Sequence, residues 1–216
     1  MKKFVIVFLI FLNCIALADV MPYYINSLRR NGIGFTSIQS PLVMRRTPSN
    51  DGEILETLNF DFKGQANCLI NKSRCSVDEI FAAYSEKNKI ALLTTIDESE
   101  NWSLVCFNQT QNPVCGWVDE KVNKYYNWTD FFNMYGKKYG LYLFKDLQKA
   151  DKVLFGAPMK QTNTTGSIEM PKKIIPWLVR GNWVLVKVVD FGAQNKTGWL
   201  NYRDDRGKLK LFVKFD

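Results

Sequence analysis

Short apolar runs of four to six residues, broken by clusters of Gly, Pro, Asn, Asp and Ser, recur along most of this chain, and one pair of runs occurs twice. Asn101-Trp102-Ser103-Leu104-Val105-Cys106 and Cys115-Gly116-Trp117-Val118 return as Asn182-Trp183-Val184-Leu185-Val186-Lys187 and Thr197-Gly198-Trp199-Leu200. Each half reads as an aromatic-led strand, a polar loop and a Gly-Trp return strand, so the chain is expected to carry one small β module in two copies. Strands this short, separated by turn residues, predict a mainly β protein whose two small barrels close on themselves and so remove most exposed edges.

Upstream of the first hairpin, residues 42–48 and 52–58 are two apolar stretches around a Pro/Ser/Asn/Asp/Gly turn cluster. In the second copy, residues 141–145 and 152–154 keep the apolar alternation but lack Arg and Pro landmarks. Gly116 and Gly198 are expected to let backbones approach closely, with Trp117 and Trp199 filling the barrel interiors. Trp102 and Trp183 follow polar turns and begin strands, which places them half exposed. Residues 77–84 predict a short helical insert, with apolar positions at 77, 80, 81 and 84, Ser76 as N-cap and Glu79 in a capping-box position. Residues 121–139 are the most aromatic stretch. They are expected either to pack as a short helix or turn wedged between the barrels, or to expose an aromatic and lysine surface to a membrane interface or glycan. Residues 208–215 alternate and predict a last strand.

The N-terminus changes the picture by compartment. Met1-Lys2-Lys3, an apolar stretch over 4–12 and Ala16-Leu17-Ala18 match a secretory signal peptide over 1–18. The apolar core is shorter than the roughly 20 residues a bilayer-spanning helix needs. Acylation at Cys14 stays open as an alternative, against Asn13 at the preceding position. Cleavage leaves 198 residues, an ample length for two small modules and a connector. It also leaves Cys68, Cys75, Cys106 and Cys115, an even set for an oxidising compartment. Cys106 and Cys115 sit on facing strands of the expected hairpin, which leaves Cys68 for Cys75; a zinc site lacks any close C-x-x-C pair. Loss of Lys2 and Lys3 lowers the formal net charge from +8 to +6. A basic surface suits anionic wall polymer or membrane, or equally reads as a solvated surface that keeps the protein soluble, since no run of five basic residues concentrates the charge. Export argues against nucleic acid.

The order of these residues resembles that of bacterial SH3-like (SH3b) domains, which open with a Leu-Asn-Val-Arg-x-x-Pro strand and turn, continue to an Ile-x-x-Leu strand and close with Trp-led and Gly-Trp-Val strands. Leu42, Arg45, Pro48, Ile54, Leu58, Trp102, Gly116, Trp117 and Val118 carry the resemblance; Val43 departs from it, as does a long insert at about 62–88. The expected organisation is therefore a signal peptide over 1–18, an extension over 19–35, a first SH3-like domain over 36–120, an aromatic connector over 121–139 and a second SH3-like domain over 140–216. The resemblance implies a periplasmic or secreted protein that binds cell-wall glycan or peptide through Trp102, Trp183 and Trp128, or else an adaptor for an envelope protein. No transmembrane segment is expected after cleavage.

The chain contains no histidine, which removes Ser-His-Asp and Cys-His catalysis and every histidine metal site. With its cysteines assigned to disulfides, a thiol nucleophile is not expected either. Asp97, Glu98 and Glu100 cluster before Trp102, but three acids in a polar turn read as a solvated loop. No phosphate-cradling glycine loop is present. No catalytic residue, metal or cofactor is expected.

Overall fold

The computed structural model describes residues 32–60, 67–70, 73–76, 80–107, 113–169, 171–190 and 195–215. The expected signal peptide lies outside the described residues. The first half contains β1 (Gly34–Ser37), β2 (Leu42–Arg45), β3 (Ile54–Leu58), β4 (Asn67–Ile70), β5 (Ser73–Ser76), β6 (Ala83–Ser85), β7 (Ile90–Ser99), β8 (Trp102–Phe107), β9 (Val114–Asp119) and β10 (Lys124–Asn127). The second contains β11 (Leu141–Leu143), β12 (Val153–Phe155), β13 (Thr164–Ser167), β14 (Pro171–Arg180), β15 (Trp183–Asp190), β16 (Lys196–Asn201) and β17 (Leu211–Val213). Between them runs one helical segment, α1, over 128–139, whose middle, Phe132–Gly136, is wound as a π-helix.

The first sheet has the strand order β10-β1-β7-β8-β9-β2-β3, with β6 added beside β7, and the second has β17-β11-β14-β15-β16-β12-β13. Matched in chain order, these are the same path. The two hairpins also share one register. Trp102 faces Asp119, Leu104 faces Trp117, Val105 faces Gly116 and Cys106 faces Cys115. Trp183 faces Asn201, Leu185 faces Trp199, Val186 faces Gly198 and Lys187 faces Thr197.

The repeat extends to a segment whose sequence hides it. Arg46 N donates to Glu53 O at 2.9 Å, Ser49 N to Thr47 O at 2.8 Å and Gly52 N to Ser49 O at 3.2 Å. Gly156 N donates to Asn163 O at 2.9 Å, Met159 N to Ala157 O at 2.8 Å and Thr162 N to Met159 O at 3.5 Å. Arg45 is the Cα partner of Trp117, as Phe155 is of Trp199. The counterpart of the Arg45–Pro48 turn is thus the Phe155–Pro158 turn, not the stretch over 141–145. The proline landmark survives as Pro158, and β11 takes the place of β1. In both copies the glycine beside the tryptophan admits the crossing strand. A Cβ on Gly116 would lie 3.0 Å from Met44 Cβ, and one on Gly198 2.8 Å from Leu154 Cβ.

Both sheets are open paths, so the expected closure into barrels is not seen. Their end strands are only three to five residues long, which limits exposed edge without closure. The helix expected over 77–84 does not reach its end. Ala83–Ser85 pairs with β7, Tyr84 opposite Ala91, because the extended backbone satisfies its polar groups against an existing strand. Residues 77–79 lie outside the described residues.

Two cores follow. Leu42, Met44, Leu58, Ala91, Leu93 and Val118 belong to a core inside the first sheet. On the opposite face of β7, Ile90 and Leu92 join Phe35, residues of α1 and the inner face of the second sheet in a larger shared core. The run Ile90-Ala91-Leu92-Leu93 is therefore buried on both faces. Phe131 meets Phe212 at 5.5 Å with the rings tilted by 40°, and Phe132 meets Tyr202 at 5.0 Å. Each fully buried ring of this kind stabilises the fold by roughly 1.5–3 kcal/mol. The aromatic stretch over 121–139 is thus split: residues 124–127 supply β10, an edge strand of the first sheet, and residues 128–139 are α1, which packs Trp128, Phe131 and Phe132 into the shared core and leaves Met134, Lys137 and Lys138 exposed.

Candidate ligand-binding face

Side chains alternate across a strand, so register decides which residues share a face. In the second hairpin Val184, Val186, Val188 and Leu200 are fully buried and point to the shared core. Trp183, Leu185, Lys187, Trp199 and Asn201 therefore occupy the outer face. Phe155, opposite Trp199, joins them. Its ring meets Trp183 edge to face, centroids 5.4 Å apart at 89°. Arg180, opposite Trp183 across a two-residue turn, lays its guanidinium over the Trp199 ring, 6.0 Å from the centroid. Leu178, opposite Leu185, is 43% exposed, and Trp177, at the irregularity in β14, is 49% exposed. Trp183 remains partly exposed.

The first sheet presents the matching face with different chemistry. Trp102, Leu104 and Trp117 are partly exposed there. Ser99 stands where the second copy has Arg180, and Asp97 where it has Leu178. Asp119 replaces Asn201. Arg45, in the place of Phe155, donates from Nη1 to Gly52 O at 2.7 Å and so is tied to its own turn. Burial first, then Glu98, Glu120 and Asp130, push the Tyr125 hydroxyl up to about 12. The disulfide Cys106–Cys115 closes the hairpin across facing residues. Cys68 and Cys75 are also Cα partners, in the β4–β5 ribbon.

Three expected positions change. Trp128 is 6% exposed. It packs 5.1 Å from Phe35 under the guanidinium of Arg203, so it is core and offers no stacking surface. Trp117 and Trp199 do not fill interiors. Val118 and Leu200 take the inward positions, and alternation turns the preceding tryptophans outward. Trp199, 8% exposed, is covered on that outer face instead. Phe155 and Arg180 were not among the sequence candidates. Their signal was pairing: Arg180 flanks the Gly181-Asn182 turn opposite Trp183, and Phe155 alternates with the inward Leu154.

Among the described residues no three acidic or cysteine side chains gather where they could hold a metal ion. No helix among them is long and apolar enough to cross a membrane. Searches found no family model and no curated protein that matches this chain.

Proposed function

We propose that this is an exported, non-catalytic binding protein of two SH3-like modules that recognises cell-wall peptidoglycan, using the outer face of the second sheet. The observation that carries the reading is the partly exposed Trp183 held edge-on by Phe155 beside Trp199 and Arg180. A fixed aromatic platform flanked by hydrogen-bond donors suits stacking on a sugar ring or packing along a peptide stem. Export is supported by the signal-like N-terminus and by the Cys106–Cys115 disulfide; the Cys68–Cys75 pairing belongs to the same reading. The wall as target rests on the SH3b resemblance, since a fold alone does not assign a ligand. The absence of histidine supports the non-catalytic part.

The test is co-sedimentation of the chain from residue 19 with purified sacculi, alongside Trp183→Ala and Trp102→Ala. Binding by the parent and the Trp102 variant, lost in the Trp183 variant, supports the reading. No binding at any ionic strength overturns it. A second reading, an adaptor for an envelope protein, is favoured by one observation: Trp177 and Leu178 form an adjacent exposed apolar pair on β14, the strand that packs on α1. Sedimentation that depends on Trp177 and requires undigested wall-associated protein would select it.

A further inference from the structure

The two copies have diverged at equivalent positions, and the direction of the divergence specifies a ligand chemistry. Where the first sheet carries Asp97, Ser99 and Asp119, the second carries Leu178, Arg180 and Asn201. Where the first carries the disulfide-bonded Cys106, the second carries Lys187. At these equivalent positions the second face thus holds two cations and no carboxylate, whereas the first holds two carboxylates, and its Arg45 guanidinium is already bound to its own turn. Among the described residues neither Arg180 nor Lys187 makes an ion pair. Asp151, on the turn preceding β12, is engaged by Lys210 Nζ at 2.9 Å, which also reaches Asn201 Oδ1 at 3.1 Å.

Arg180 spreads over an indole, so its planar donors lie beside the apolar platform rather than in bulk solvent. Lys187 stands two residues beyond Leu185 on the same face. An uncharged sugar has no use for two unpaired cations, and the acidic first face repels an anion. The geometry points to a carboxylate-bearing glycopeptide as the ligand of the second face alone, its apolar or sugar surface on Trp183 and Phe155 and its carboxylates toward Arg180 and Lys187. This inference rests on the wall-binding reading above. The first copy serves as a scaffold that shares the core and takes no part in binding.

The experiment is calorimetric titration of the chain from residue 19 with soluble fragments released from sacculi, one preparation with free stem carboxylates and one with those carboxylates amidated. The free form is expected to bind at least tenfold more tightly. Arg180→Gln with Lys187→Gln should abolish that preference, while Asp97→Asn with Asp119→Asn should leave it unchanged. Equal, Trp183-dependent binding of both preparations would overturn the carboxylate inference and leave the wall reading standing. Binding of neither preparation by the parent chain would overturn the wall reading itself, and the inference with it. Because the amidated ligand tests the point without any substitution, a variant that fails to fold does not decide the result.

Discussion

Phe35 of β1 and Phe212 of β17 meet edge to face with ring centroids 5.3 Å apart, and both are fully buried. The first strand of one copy and the last strand of the other thus close on the same aromatic cluster. Ser85 Oγ and Asn88 Nδ2 both donate to Phe215 O at 3.3 Å, and Arg203 Nη2 reaches Gly32 O at 3.3 Å. Copies that share a core unfold together. Differential scanning calorimetry should show one cooperative transition, and Phe212→Ala should lower its stability by about 3–5 kcal/mol. Two separate transitions, only one of them shifted by Phe212→Ala, would refute a shared core.

The turns that begin the two central hairpins adopt the same backbone conformation with different residues. Glu100 and Gly181 both have φ of +52°, a conformation that costs an L side chain about 1 kcal/mol and glycine almost nothing. Glu100→Gly should therefore stabilise the protein by about 1 kcal/mol. Gly181→Ala should destabilise it by a similar amount, since no atom lies within 4 Å of the added Cβ and only the backbone penalty remains. Urea denaturation midpoints measure both; shifts of the same sign would contradict the equivalence of the turns.

Cross-linking only the first hairpin constrains its unfolded chain. The Cys106–Cys115 bond spans a sequence separation of 9, a loop for which the chain-entropy estimate is about 2–3 kcal/mol. The double variant Cys106→Ala, Cys115→Ala should lose that much in urea denaturation while keeping Trp183-dependent sedimentation. Loss of wall binding with unchanged stability would place the disulfide in the site instead.

Tyr202 introduces an alkaline limit. Burial pushes its hydroxyl up to about 12, Arg203 opposing the shift. The folded-state value lies above the unfolded value near 10, so the neutral phenol favours the fold fully below pH 10, and this contribution is lost as pH rises through about 12. Stability should fall across that window. Tyr202→Phe should flatten the fall and cost about 1 kcal/mol at pH 7 through its lost 2.8 Å bond to Gly181 O. An unchanged alkaline slope in the variant would exclude Tyr202 as the cause.

What the sequence disclosed and what it hid follow from the range of the constraints. Gly-Trp beside a Trp-led strand fixed both hairpins, because a close backbone crossing requires glycine wherever it occurs. The second Arg45–Pro48 turn was hidden because its hydrogen bonds are backbone to backbone, and only Pro158 of its landmark residues persists. The outward placement of Trp117 and Trp199 was legible by alternation from Val118 and Leu200, had the larger ring not been assigned the interior. The burial of Trp128 was not legible, since its neighbours, Phe35 and Arg203, come from opposite ends of the chain. The site was half visible: Trp183 announced itself, while Phe155 and Arg180 reach it only through strand pairing.

The most direct test of the binding face uses the six tryptophans as reporters. Indole N–H resonances of the ¹⁵N-labelled chain from residue 19 would be followed as solubilised wall fragments are added. The account predicts that Trp183 and Trp199 shift on titration while Trp128, Trp102 and Trp117 stay fixed. Shifts confined to Trp102 and Trp117, or no shift at any fragment concentration, would contradict it.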